Sequence, residues 1–175
     1  MKRIYLDSNV WNFLYEQKIN LIDEFPPKEY QLFIISEQVF ENKAIPDSKK
    51  ELKMFIDLKM KEWNVGVDKF FGFFNQMHSQ NEQRAGGFGA GRLISPEEQE
   101  FINKYWRQVG RKKRKSRLYK NEADVMLAAR AMHSMVLTLD IKKGPLFYAK
   151  KKGGNVVFIN EYKFKNNPSK NKRKE

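Results

Sequence analysis

The sequence predicts an α/β domain of three layers: a central parallel sheet of four to five strands between helices, with a helical insertion. Two observations lead there. Short apolar runs suited to buried strands stand at residues 3–6, 32–35, 135–139 and 156–159. Stretches with helical spacing separate them, and strand followed by helix occurs twice in the first 45 residues, the pattern of parallel pairing. With 175 residues and 41% hydrophobic content, one domain over residues 1–162 can bury a core.

In order, residues 3–6 read as a strand and 9–17 as a helix with Val10, Trp11, Phe13 and Leu14 on its apolar face. Asp7 closes the strand, and Ser8 stands where a helix cap belongs. In an open α/β sheet the ligand crevice lies at the carboxyl ends of the strands, so Asp7 is a candidate metal ligand. Taken alone it is equally an acid that favours the helix start. Residues 20–29, with Pro26-Pro27, read as a loop or broken helix. The run 32–35 follows, and Ser36 is placed to cap a helix that carries Glu37 and Glu41.

Ser48 and Glu51 have the spacing of a capping box before a helix to about Trp63, and 67–80 is expected to be a further helix. Residues 84–92, RAGGFGAGR, are glycine-rich but lack the strand, helix and Lys-Ser/Thr of a phosphate cradle, and read as a loop. Ser95-Pro96-Glu97-Glu98 opens a helix to about Val109. Then comes RKKRKSRLYK at 111–120, with seven Lys or Arg. Residues 121–131 form a small-residue helix with Asn121 as its cap. There, helix capping by itself accounts for Asp124 near the first turn. The run 135–139 ends at Asp140, a second strand closed by an acid. A helix from Gly144-Pro145 to Lys152 and a last strand at 156–159 complete the domain. The tail 163–175 is basic and expected to be disordered.

Composition narrows the function classes. Lysine and arginine number 34 against 21 acids, a net charge of +13. That favours a polyanionic partner, nucleic acid ahead of an acidic protein. Cysteine is absent, which excludes a disulfide framework, a cysteine zinc site and a thiol nucleophile. No apolar run approaches the ~20 residues of a membrane span, and no apolar leader follows Met1-Lys2-Arg3. A cytoplasmic protein with no membrane partner is the expectation. His78 and His133 stand in no ligand-spaced pair and receive no role.

Acids at Asp7, Glu37 or Glu41, Glu122 or Asp124, and Asp140 would meet on one edge of a parallel sheet. Carboxylates held close raise one another's pKa, and a divalent cation relieves the cost. Oxygen-only ligation suits Mg²⁺ or Mn²⁺, which can activate water against a phosphodiester.

Three segments in order carry a family resemblance: YLDSNV within 4–10, NEADVMLAARA at 121–131 and VLTLD within 135–140. Together they resemble the PIN-domain family of Mg²⁺- or Mn²⁺-dependent ribonucleases, which includes many toxins of toxin–antitoxin systems. The resemblance implies a PIN-like α/β/α fold and an endoribonuclease acting on RNA, with an antitoxin or other regulatory protein as partner; it leaves a homodimer open. It implies Asp7, Asp124 and Asp140 as metal-site acids, Ser8 beside the metal or a phosphate, and Thr138 orienting a carboxylate. Glu41 is the preferred fourth catalytic acid, Glu37 and Glu122 less certain ones. If the family position falls one residue later it is Asn42 and that acid is missing. After Asp140 come Ile141, Lys142 and Lys143, so a further family acid is absent. Residues 47–120 exceed a minimal domain and read as a helical insertion or cap. Its basic run, Arg111, Lys112, Lys113, Arg114 and Lys115, would wall the substrate groove. The alternatives are a PIN-like binding module without catalysis, and a DNA- or structure-specific nuclease.

Overall fold

The computed structural model describes residues 1–73, 83–162 and 164. Five parallel strands form one sheet: β1 (Lys2–Leu6), β2 (Tyr30–Ile35), β3 (Gly66–Asp68), β4 (Met135–Thr138) and β5 (Val156–Phe158), in the order β3-β2-β1-β4-β5. Among the described residues seven α-helices accompany them: α1 (Ser8–Gln17), α2 (Leu21–Glu24), α3 (Ser36–Lys43), α4 (Lys50–Glu62), α5 (Pro96–Tyr105), α6 (Glu122–Arg130) and α7 (Pro145–Lys151). Strand order reverses at β1, whose neighbours are β2 on one side and β4 on the other.

The period-2 alternation of the strands builds two cores. Ile4, Leu6, Leu32, Ile34 and Leu137 face one layer, where Val10, Trp11 and Leu14 of α1, Leu21 of α2, and Leu52 and Ile56 of α4 pack. Tyr5, Ile35 and Val136 face the other, against Phe101 and Ile102 of α5, Val125 to Ala129 of α6, and Leu146 of α7. This is a three-layer α/β/α fold, as the alternation of strand and helix patterns requires. The alanines of α6 let that helix lie close on the sheet. Trp11 stacks on Trp63 with ring centroids 6.0 Å apart.

Three local expectations differ. Residues 67–73 are not helical: β3 is an edge strand paired with the end of β2, and Phe70 and Phe71 run on as isolated bridges to Arg92 and Gly86. Gly72 and the uneven spacing of Phe70, Phe71 and Phe73 give no single apolar face. Residues 74–80 of that expected helix, including His78, lie outside the described residues. Segment 47–120 is helical at α4 and α5 but also supplies β3, so it contributes to the sheet as well as to both helix layers. Ser8, Ser36 and Asn121 are not side-chain caps. Asp7 and Ile35 hold the cap positions of α1 and α3, while Asn121 is left-handed (φ 61) and donates to the Gln108 carbonyl. The Ser48 box does not form, because residues Asp47–Lys49 make a 3-10 turn instead. The Ser95–Glu98 box does form, at 3.1 and 3.0 Å. Phe164 is buried against Phe13 and Tyr162, and the rest of 163–175 lies outside the described residues.

The edge strand is pinned by charge. Asp68, its last residue, accepts from Arg130 Nε at 3.0 Å and from Arg92 Nε at 3.1 Å. Arg130 is 1% exposed, and the Phe70 ring covers its guanidinium at 3.5 Å. Arg92 also pairs with buried Glu98. Removing one partner of a buried pair leaves an uncompensated charge. Asp68→Ala is therefore expected to cost about 3 kcal/mol or more in chemical denaturation, and Lys59→Ala in its exposed pair with Glu62 at most about 1 kcal/mol.

Candidate functional site

Asp7 follows the last residue of β1 and occupies the cap position of α1, buried where the strand order reverses. Ligand crevices of open α/β sheets form at such switch points. Its backbone N–H donates to Leu137 O at 2.9 Å, which fixes Asp7 over the β1–β4 junction. Thr138 Oγ1 and Asn9 Nδ2 both donate to Asp7 Oδ2, at 2.6 and 2.8 Å. Thr138 Oγ1 accepts the Asp140 N–H, and Asn9 Oδ1 accepts the Leu139 N–H, each at 2.9 Å. The first turn of α1 and the end of β4 are thereby laced together around one carboxylate.

Ser8, the first residue of α1, donates from Oγ to Glu41 Oε2 at 2.5 Å. Glu41 lies on α3, Asp124 in the first turn of α6, and Asp140 just past β4. Burial pushes the Asp7 carboxyl up from 3.8 to about 7; the Thr138 hydrogen bond opposes the rise, and the charges of Asp124 and Glu41 add to it. Burial also raises Glu41, with Ser8 opposing and Asp124 adding. It raises Asp124, with Asp140 adding and Arg114 opposing. Sequence-distant carboxylates are therefore coupled along one edge, Asp124 with Asp7 and with Glu41, and Asp140 acting on Asp124.

These four differ from the arginine-paired acids of the fold. Asp68 and Glu98 pair with arginines, and Glu122 pairs with Arg84. Among the described residues, Asp7, Glu41, Asp124 and Asp140 make no ion pair within 4.0 Å. Nor, among the described residues, do any three His, Asp or Glu side chains stand close enough as placed to hold one ion. Glu41 is turned to Ser8, and Asp7 to Thr138 and Asn9. In kind, the donors fit a hard divalent cation: they are oxygen-only carboxylates, Asp7 buried and the other three half-buried.

Glu37 and Glu122 lie elsewhere in this arrangement. Glu37 is buried one turn before Glu41, bonded by Ser36 Oγ at 3.0 Å, and its raised pKa comes from burial, opposed by Arg130. Glu122 is held by Arg84 and by the Tyr119 N–H at 2.8 Å. Arg111, Lys112, Lys113, Arg114 and Lys115 are exposed in the loop before α6, anchored by buried Leu118. Arg114 faces Glu41 and Asp124 from that loop. His133 is remote, bonded to Ser95 Oγ and Glu97 through the same Nε2.

Two residues of this region were missed in the sequence. Gln38 donates to Leu6 O at 2.7 Å and accepts the Ile35 N–H at 2.9 Å, tying α3 to the ends of β1 and β2. Its signal was the position three residues after the cap. Arg84 bonds the Arg117 carbonyl at 2.9 Å, and its own carbonyl accepts from Ser36 Oγ. The glycine-rich loop that carries Arg84 is a backbone crossing. A Cβ on Gly86 would meet Ala90 O at 2.7 Å, and one on Gly91 would meet Gly86 O at 2.5 Å.

No protein-family model matches the chain, and no curated protein matches it. A domain of a functionally unknown protein from Methanocaldococcus jannaschii DSM 2661 is similar at 17% identity, over 95% of this chain and 96% of that one, with a TM-score of 0.47. A likeness at that level carries no argument. Among the described residues no helix is long and apolar enough to cross a membrane.

The raised Asp7 carboxyl links site and stability. Between 3.8 and about 7 the folded state holds a proton that the unfolded state has lost, so stability present at pH 4 declines as pH rises to 7. Asp7→Asn removes that decline. In chelator, the melting temperature of the variant relative to wild type is expected to rise from pH 4 to pH 8; a pH-independent difference would contradict the burial. Thr138→Val is expected to cost about 1–2 kcal/mol, because Asp7 Oδ2 loses a donor and the Asp140 N–H an acceptor.

Proposed function

We propose that this protein is a metal-dependent endoribonuclease of the PIN type. The observation that carries this reading is the set Asp7, Glu41, Asp124 and Asp140. These are four acids near the switch point of a parallel sheet that, among the described residues, make no ion pair within 4.0 Å, in a chain of net charge +13. Asp68, Glu98 and Glu122 have arginines within ion-pair distance; these four would fit an ion that is not part of the chain.

Asp7, Asp124 and Asp140 would hold Mg²⁺ or Mn²⁺. The ion supplies positive charge to the scissile phosphate and a lowered pKa to water at neutral pH. Thr138 and Asn9 hold Asp7 Oδ2 in one orientation. Glu41, raised by burial and fixed by Ser8, is placed to take the proton of the attacking water as an ester P–O bond breaks. Arg114 faces the same acids and, with its neighbours in the basic loop, holds the anionic backbone. An antitoxin-like inhibitor is a partner to seek under the same reading.

A second reading is a nucleic-acid- or partner-binding module without catalysis, favoured by the spread of the acids beyond common ligating distance. A cleavage assay separates the two. Wild type is expected to cut RNA with Mn²⁺ or Mg²⁺ and to stop in chelator, and Asp7→Asn to lower the rate by about 10³-fold or more. Cutting that survives both would end the metal reading, and binding without cutting would favour the module. Cutting of DNA in preference to RNA would move the substrate. Changing Arg111, Lys112, Lys113, Arg114 and Lys115 to Gln is expected to weaken binding and flatten its salt dependence.

A further inference from the structure

We propose that the groove between α3 and the basic loop binds a nucleotide of the substrate strand near the acids, its phosphate on Lys43 and Lys115 and its base against Phe40. This deepens, and rests on, the ribonuclease reading above. The groove encloses about 410 Å³ and is lined by Phe40, Lys43, Ala44, Lys115, Ser116 and Arg117. Among the described lining residues half are cationic and none is acidic, and the half-buried Phe40 ring stands beside the cations. Cation plus aromatic is the combination that holds single-stranded nucleic acid.

The groove adjoins the acid edge through α3. Phe40 and Ala44 are four residues apart, with Lys43 beside them, so the three share a helix face. Glu41 follows Phe40, and its carboxylate reaches round to Ser8. Helix α3 thus carries a ring of the groove and an acid of the edge at neighbouring positions. The walls are braced. Arg84 lies over the Phe40 ring at 5.5 Å, pairs with Glu122 and bonds Arg117 O, so α3, α6 and the basic loop meet on one guanidinium. Arg117 is left-handed (φ 63) in a turn closed by its N–H to Arg114 O at 2.9 Å. A non-glycine residue keeps that conformation only where its surroundings hold it.

The test uses the full chain and a short fluorescein-labelled single-stranded oligoribonucleotide of mixed sequence. Binding is read by anisotropy in the uncut Asp7→Asn background, cleavage in the wild-type background. Lys43→Glu is compared with Lys61→Glu, the same charge change at an exposed position of α4. Lys43→Glu is expected to weaken binding about tenfold and Lys61→Glu less than about twofold. In cleavage, Lys43→Glu should raise KM and spare kcat. Lys43→Gln, with an unchanged melting temperature, should show a smaller loss in the same direction and replaces Lys43→Glu if that variant folds poorly.

Equal losses in the two Lys→Glu variants would mean that net charge alone acts, and the groove proposal falls. No loss in Lys43→Glu, with wild type still binding, would overturn it in favour of another occupant such as an acidic peptide. If wild type cuts RNA and the variants do not differ, the groove alone falls. If Lys43→Glu selectively loses binding but wild type never cuts, the nucleotide site stands and the nuclease reading falls. If wild type does not bind the oligoribonucleotide, both fall.

Discussion

The carboxylate of Asp7 is buried at the one place where the sheet reverses its order, and the neighbouring structure is arranged to tolerate it. Taking a carboxylate out of water is costly unless donors or cations replace the solvent. Here the replacement is by donors: Thr138 and Asn9 reach the same oxygen, while their remaining polar atoms hold the backbone that follows β4. Those contacts join residues about 130 apart in sequence, so the geometry at Asp7 depends on the correct pairing of β1 with β4.

The fold treats its buried acids in two ways. Asp68, Glu98 and Glu122 have arginine partners, and their role is to fasten β3, α5 and the loops to the layer of α6. Asp7, Glu41 and Asp124 instead have pKa values raised chiefly by burial, with Asp124 adding to the rise at Asp7 and Glu41, and Asp140 adding to it at Asp124. Stability alone does not ask for that arrangement, since apolar residues of similar size would be cheaper there. Perturbed acids near the switch point of a sheet mark a candidate functional site, and the contrast with the arginine-paired acids of the same domain sharpens that inference. Arg84 bridges the two regions, because it satisfies Glu122 while bracing the basic loop and the ring of Phe40.

Local signals showed much of this directly. β1, β2, β4 and β5 announced themselves as apolar runs, and α5 by a capping box that forms as written. Asp7, Asp124 and Asp140 stood out because each lies at the end of a regular element. The strand β3 was hidden: three residues long, with Val67 40% exposed, it carries no apolar run. It exists because β2 offers an open edge and because Asp68 meets two arginines from distant segments. The serine and asparagine caps were misplaced for a related reason. Ser8 and Ser36 have better partners across space, in Glu41 and the Arg84 carbonyl, than in their own helix turns.

The sequence by itself determined the α/β class, the parallel sheet, the excess of basic charge and the acids at element ends, because these follow from periodicity, composition and position along the chain. Only the tertiary structure decided which acids are neutralised and which are left to one another. Arg84, Arg92 and Arg130 are indistinguishable from surface arginines in the sequence. Asp68 lies 24 residues from Arg92 and 62 from Arg130, and Glu122 lies on a helix beyond the basic loop from Arg84; Glu98, six residues from Arg92, is the local partner. Charge pairing is set by distance in space, and local patterning cannot report it.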